Sequence, residues 1–388
     1  MPIVFVHGVG TRRSSKYHRL TKARGELFQE FLAPALKATG RLHIVNPFWG
    51  DKAASFGWDH ACLPRRSEQL GSEASSTEVL AAEYFGQGND APGRLLIGVA
   101  SRSLLSAIDL LWAAAAEETP PTEASALANL AVTAVAYAER HPRPIWLNRA
   151  RNDNEFFTQL LDEIHATQAP TRIPAAEKFG AWNIASSRLY EGFQRLTSVP
   201  ARTSTNLLVN TFRGRIHRQG AEFFGDVLAY LRQREEHGAD SPIAQEIASH
   251  LAAAKQQDAQ DGAPLVVIAH SMGGNIVYDL LSNLRADLSC DILITVGSQV
   301  GLFAELDLFP SVSRERAVEG KVPPLANVDR WINIFDPDDL LAFATMPIFH
   351  GSHDLQYSTG KGILKSHSFY FRRPSFHRRL AKKLEGIA

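Results

Sequence analysis

Cysteine is nearly missing from this chain. Only Cys62 and Cys290 occur among 388 residues, so no disulfide framework can staple the fold, and neither thiol sits in a metal-ligand spacing. That usage suits a reducing compartment, and the expected location is cytoplasmic. An excess of charge of one sign is lacking too: Lys and Arg number 41, as do Asp and Glu. A balanced chain gives no global reason to expect nucleic acid or a strongly anionic partner. Long apolar runs are also absent. The least charged helical stretch, 124–138, runs 15 residues without a charge but is Ala-rich, shorter than a bilayer span and followed by Glu139 and Arg140. No transmembrane helix is expected. The first strand candidate opens at Pro2, with no basic, apolar and cleavage regions before it, so no export signal is expected.

What is present is an alternation of strands and helices. "PIVFVHGVG" reads as a buried strand over Ile3 to Val6 that ends in a glycine-punctuated loop, and "RLHIVNPFWG" offers a short second strand at His43 to Val45. From Asp51 to about Thr205 the character changes to helical runs such as "RSLLSAIDLLWAAAAEE" (with one helix expected over 96–116) and "EASALANLAVTAVAYAER", with no strand signal of similar quality. Near residue 219 the alternation resumes. Phe223, Val227 and Leu231, then Ile243, Ile247 and Leu251, mark two amphipathic helices. A strand at Leu265 to Ala269, a helix carrying Ile276, Val277, Leu280, Leu281 and Leu284, the strands "DILITVG" and "RWINIFD", and a closing helix marked by Phe376, Leu380 and Leu384 follow. This order predicts an α/β fold with a mostly parallel sheet covered on both faces. The expected organisation is a discontinuous core, 1–50 and 206–388, interrupted by a largely helical insertion, 51–205. Because insertions in open α/β sheets often overhang the ligand crevice, the insertion is expected to form a cap.

The segment "PLVVIAHSMGG", 264–274, puts a serine where a strand must turn sharply into a helix. A serine hydroxyl is a weak nucleophile, so chemistry there needs a base, a group that orients the base, and donors for the oxyanion that develops. "AHSMGG" after "PLVVI" resembles the nucleophile elbow of the α/β-hydrolase family, whose usual form is G-x-S-x-G; Ala269 stands here for the first glycine and keeps that position small. The resemblance implies Ser271 as nucleophile, the Met272 backbone N–H as one oxyanion donor, and a second donor from a loop after an early strand. "FVHGVG" supplies His7-Gly8 in that place, which makes Val9 the second donor and His7 a brace for the loop.

For the acid, "RWINIFDPDDLLAF" offers Asp336, Asp338 and Asp339. Similar hydrolases carry a pattern like N-x-Y-D-P-x-D-P-V; laid on this chain, its second marked Asp is Asp339, with Asp336 a turn former ahead of Pro337. For the base, His350, His353, His367 and His377 are candidates. "SHSFYF" resembles the family's H-S-x-Y segment before the last helix and brings His367 forward, 28 residues after Asp339; His377 falls within the last helix and is expected to face solvent. The order Ser271, Asp339, His367 is that of the family.

"HGSHD", 350–354, groups three potential metal ligands, yet it lacks a helical H-E-x-x-H spacing and is expected to be structural. "GVGTRR" lacks the Lys-Ser/Thr ending of a phosphate loop. Arg12, Arg13, Lys16 and Arg19 could meet an anionic substrate group. Residues 361–388 carry eight Lys/Arg against Glu385 alone, which would suit peripheral contact with an anionic membrane. The resemblance implies a lipase-like serine esterase using an acyl-enzyme, with a small-molecule or lipid ester as substrate and no cofactor, no metal and no nucleic acid. A phospholipase working at an anionic membrane surface, and a catalytically idle hydrolase fold serving as a binding module, are the alternatives.

Overall fold

The computed structural model describes residues 1–63, 94–116, 119–167, 175–197, 205–261, 264–360 and 366–386. They form two compact units. The first takes the described residues within Met1–Arg13, Gly40–Glu68 and Arg213–Tyr370; the second takes those within Ser14–Thr39, Gln69–Phe212 and Phe371–Ala388.

The first unit is built on six strands: β1 (Pro2–Val6), β2 (His43–Val45), β3 (Val266–His270), β4 (Cys290–Val296), β5 (Val328–Phe335) and β6 (Ser352–Gln356). They lie in the order β2-β1-β3-β4-β5-β6, and every pairing is parallel. β1, β3 and β4 are nearly continuous apolar runs because both faces of the sheet are buried. One face sets Val4, Val6, Val267, Ala269 and Leu293 against Ile243, Ile247 and Leu251 of helix α8 (Pro242–Asp261) and Ile276 and Val277 of helix α9 (Met272–Asp279). Ile3, Phe5, Val266, Ile268 and Ile294 on the other face are equally buried.

β6 was not legible in advance. "HGSHD" reads as a polar loop, yet Ser352 to Gln356 pair with Trp331 to Phe335. A sheet edge tolerates such polarity, since only one flank of the strand is covered.

The order of the strands also creates a switch point. The chain leaves β1 for β2 on one side and returns to β3 on the other, so the loops after β1 and β3 diverge at their carboxyl ends. Ligands of open α/β sheets bind at such a switch point.

The second unit is helical among its described residues: α1 (Ser15–Ala35), α2 (Leu95–Arg102), α3 (Leu104–Ala116), α4 (Ala124–Arg140), α5 (Asp153–Thr167), α6 (Ala175–Thr197) and α11 (Pro374–Glu385). Helix α7 (Thr205–His237) continues into the first unit, which also holds α10 (Val300–Glu305). This grouping departs from the expected boundaries, because α1 and the C-terminal helix belong with the helical segments. Helix α1 buries Leu27, Phe28, Phe31 and Leu32 and packs against α4 and α11; local periodicity shows that such a stripe exists but not what covers it.

Two finer expectations change here. The run 96–116 is two helices, because Ser103 is extended and its hydroxyl accepts the Ser106 amide as an N-cap. His377, expected at the surface, is fully buried between Phe28, Phe31, Phe371 and Phe376. It lies four and seven residues before Ala381 and Leu384, on the buried stripe of α11, so the 3.6-residue period already placed it inside.

Candidate active site

Ser271 follows the last residue of β3 and caps α9 with φ 55° and ψ −131°. A side-chain-bearing residue held at positive φ costs on the order of 1–3 kcal/mol and persists only where its surroundings enforce it. They do: the Ser271 amide donates to the Val296 carbonyl at 2.9 Å, and the Ser271 carbonyl accepts the Gly274 amide.

Two glycines bring the elbow against the loop after β1. A Cβ at Gly273 would lie 2.6 Å from the Val6 carbonyl oxygen, and one at Gly8 would lie 2.6 Å from Ser271 Cβ. Both distances are far inside contact, so only glycine permits this approach.

The expected base and acid arrive from the far strands. Asp339 sits after β5 and His367 after β6, and the structure brings both to Ser271. Ser271 Oγ and His367 Nε2 are 2.8 Å apart; His367 Nδ1 lies 2.9 Å from Asp339 Oδ2 and 3.1 Å from Oδ1. A carboxylate can only accept, so Nδ1 carries the imidazole proton and Nε2 offers its lone pair to the serine hydroxyl. Burial by itself would raise the Asp339 carboxyl. The His367 hydrogen bond and charge, the Leu341 N–H and the Tyr370 O–H outweigh it and hold the group below its ordinary value.

The other acids and histidines have different employment. Asp336 accepts the Asp338 and Thr359 amides and shapes the turn ahead of Asp339. Asp338 is exposed. His350 bonds to the Val318 carbonyl, and His353 pairs in register with Ile332 on the sheet edge. Asp354 accepts from Asn333, from Thr345 twice over and from Met346, so the "HGSHD" carboxylate serves to anchor the stretch after the acid. Among the described residues no group of three or more His, Cys, Asp or Glu could hold a metal.

Met272 is the first residue of α9, and Val9 follows Gly8 in the loop after β1. Among the described residues no acceptor takes either amide N–H. His7 braces this loop, and its tautomer follows from its partners. Nε2 faces the Trp49 backbone N–H, which can only donate, so the proton rides on Nδ1 and is given to the Gly8 carbonyl at 2.9 Å. The ring is stacked on Trp49, whose indole N–H donates to the His7 carbonyl.

Three supporting residues escaped the sequence reading. Tyr370 donates its O–H to Asp339 Oδ2 at 2.9 Å and accepts the Asp336 amide; burial and then the Asp339 charge push its phenol well above the ordinary value, so it stays a donor. His270 places Nε2 2.8 Å from the His367 carbonyl and so tethers the backbone of His367 to the elbow. Gln299 joins the Gly297 and Leu341 carbonyls, tying the end of β4 to the acid loop. The Tyr three residues after His in "SHSFYF" was the one available signal.

The basic clusters are largely paired. Arg12 forms an ion pair with Asp226, and Arg13 pairs with Asp51 and lies over Phe48; Lys16 and Arg19 fall in α1, within the helical unit. At the C-terminus Arg373 meets Asp109, while Arg378 and Lys382 share Glu139. Lys361 and Lys365 lie outside the described residues. Among the described residues no helix is long and apolar enough to cross a membrane.

No protein-family model, curated protein or solved structure matches this chain.

Proposed function

We propose that the protein is a serine hydrolase of the α/β-hydrolase type that cleaves carboxylic esters through an acyl-enzyme. The observation that carries this reading is the continuous hydrogen-bonded line from Ser271 Oγ through both nitrogens of His367 to Asp339, at 2.8 and 2.9 Å. It is supported by the positive φ of Ser271 at the switch point of the sheet. As Ser271 Oγ attacks the carbonyl carbon, its proton passes to His367 Nε2, and Asp339 stabilises the imidazolium without taking the proton. The oxyanion is received by the Met272 and Val9 amides, the first reinforced by the positive end of α9. Collapse of the tetrahedral adduct expels the alcohol, which takes the Nε2 proton. A water then gives its proton to Nε2, attacks the acyl carbon and releases the acid, and Ser271 recovers its hydrogen.

The phospholipase alternative rested on free basic clusters, and the pairing of Arg12, Arg13, Arg373, Arg378 and Lys382 favours the plain esterase. Labelling with a fluorophosphonate, followed by mapping of the modified peptide, tests the reading. Modification at Ser271 that disappears in Ser271→Ala is expected. A folded wild-type protein that takes up no label would make the fold an idle scaffold and overturn it.

A further inference from the structure

The second oxyanion donor has a difficulty that the first does not. Met272 is fixed by the helix it begins, whereas Val9 lies in a loop whose next residue, Gly10, is exposed and at φ 67°. A donor that must already point at the developing charge needs its peptide plane held in advance.

The planes on both sides of Val9 are held. The Val9 N–H belongs to the Gly8–Val9 peptide, and in a planar trans peptide the carbonyl and the N–H point in opposite directions. The Gly8 carbonyl is gripped twice, by His7 Nδ1 and by Thr11 Oγ1, each at 2.9 Å. Fixing that oxygen fixes the direction of the Val9 N–H. On the other side, the Val9–Gly10 peptide gives its N–H to Asp226 Oδ2 at 2.7 Å.

Asp226 is fully buried on α7, 216 residues along the chain from Gly10. Both its oxygens are in use. Arg12 Nη1 and Nη2 approach at 2.9 and 2.6 Å, and the Ala54 amide donates at 3.1 Å. The same Arg12 reaches the Thr11 and Ala54 carbonyls. Asp226 is buried while Arg12 is one-third exposed, so the carboxylate is the fixed member of the pair, and its hydrogen bonds to the Gly10 and Ala54 amides hold the direction of the loop.

We infer that Thr11 and Asp226 are positioning residues for the Val9 amide: Thr11 sets the plane before it, and Asp226, with Arg12, sets the plane after it. This rests on the serine hydrolase reading above. It assigns Arg12 to the loop and leaves it no part in binding an anionic substrate group.

Thr11→Val keeps the shape and removes the donor, so it is the first variant to measure. The rate of phosphonylation of Ser271 and the kcat for a p-nitrophenyl ester are expected to fall about tenfold, with KM unchanged within about twofold, because the lost interaction strengthens only in the transition state. The pH dependence of kcat/KM is expected to stay where it is in wild type. Thr11→Ser restores the hydroxyl and is expected to recover the rate to within about twofold of wild type. Asp226→Asn, checked for folding by circular dichroism, is expected to lower both rates by roughly ten- to a hundredfold with the same constant pH profile. Wild-type rates in Thr11→Val, or a higher KM at unchanged kcat, would overturn the inference while leaving the hydrolase reading in place. A wild-type protein that is not labelled overturns that reading, and this one with it.

Discussion

An Asp and a His in each unit, Asp339 with His367 and Asp109 with His377, show what burial does under different company. At the carboxyl edge of the sheet Asp339 and His367 face each other at 2.9 Å, with Tyr370, the Leu341 amide and Ser271 completing their hydrogen bonds. In the helical unit Asp109 on α3 takes the Ser375 amide and hydroxyl and the Arg373 guanidinium, while His377 on α11 has, among the described residues, only the Phe371 carbonyl on Nε2. Burial raises the carboxyl in both units. At Asp339 the partners win and hold it down; at Asp109 burial wins and the group is held above its ordinary value. His377 is likewise driven down to about 4, chiefly by burial, with the Phe371 carbonyl opposing and Arg24 adding to the shift. The sheet edge therefore keeps its carboxylate charged beside a base with an open lone pair, and the helical unit keeps its polar groups quiet within the packing. Whether a buried carboxyl stays charged depends on whether its hydrogen bonds and charged partners outweigh the cost of burial.

The comparison can be broken most severely at Asp339. In Asp339→Asn the amide can present its N–H to Nδ1 and turn the proton to Nε2, away from the serine. Turnover is expected to fall roughly 10⁴-fold while circular dichroism stays unchanged. Undiminished turnover would transfer the role to another acid.

The second test concerns His377 and acid. Its folded form resists protonation down to about pH 4, whereas the unfolded chain takes the proton near the ordinary 6.5. Stability from this group is therefore complete above 6.5, falls as pH drops from 6.5 to 4, and changes no further below 4. The loss across that window is about 3 kcal/mol. Urea unfolding of wild type and His377→Leu at pH 7, 5.5 and 4 should show the variant losing less than wild type by about that amount. Parallel curves would show that His377 titrates freely in the fold.

A smaller change is expected for Tyr370→Phe, which strips one donor from Asp339 and one acceptor from the Asp336 amide. Stability should drop by about 1–2 kcal/mol and turnover by roughly tenfold, as read by thermal unfolding and steady-state rates. Smallest of all is Lys382→Ala. Its pair with Glu139 is about half exposed on the lysine side, and such bridges contribute about 0–1 kcal/mol. Unfolding should shift within that range, and association with anionic vesicles should be unaltered. A clear loss of vesicle binding would revive the membrane-surface alternative.

Much of the site was visible because its parts carry local signatures. A β-run ending in His-Ser with two glycines announces a strained strand-to-helix turn, and "FVHGVG" announces a turn of backbone at the end of a strand. "FDPDDLL" and "SHSFYF" are short enough to be read whole. The supports were not visible for a corresponding reason. Asp226 looks like any acid on an amphipathic helix, Thr11 like any loop threonine, and Gln299 like a polar residue after a strand. Each acts through a partner distant in the chain or through a backbone group that has no letter. β6 was missed because an edge strand need not look apolar.

The sequence by itself determined the alternation of strands and helices, the place of the elbow, and the kinds of side chain available for proton transfer, since these follow from short-range periodicity and turn chemistry. Tertiary structure alone decided which aspartate and which histidine meet Ser271, which helices join α1 and α11, and which way the Val9 amide is held. Those outcomes depend on distances between segments as far apart as Gly10 and Asp226. The parallel sheet gathers the loops that carry Ser271, Asp339 and His367 at one carboxyl edge, and helix packing supplies the rest, because no short-range pattern encodes which distant segments meet.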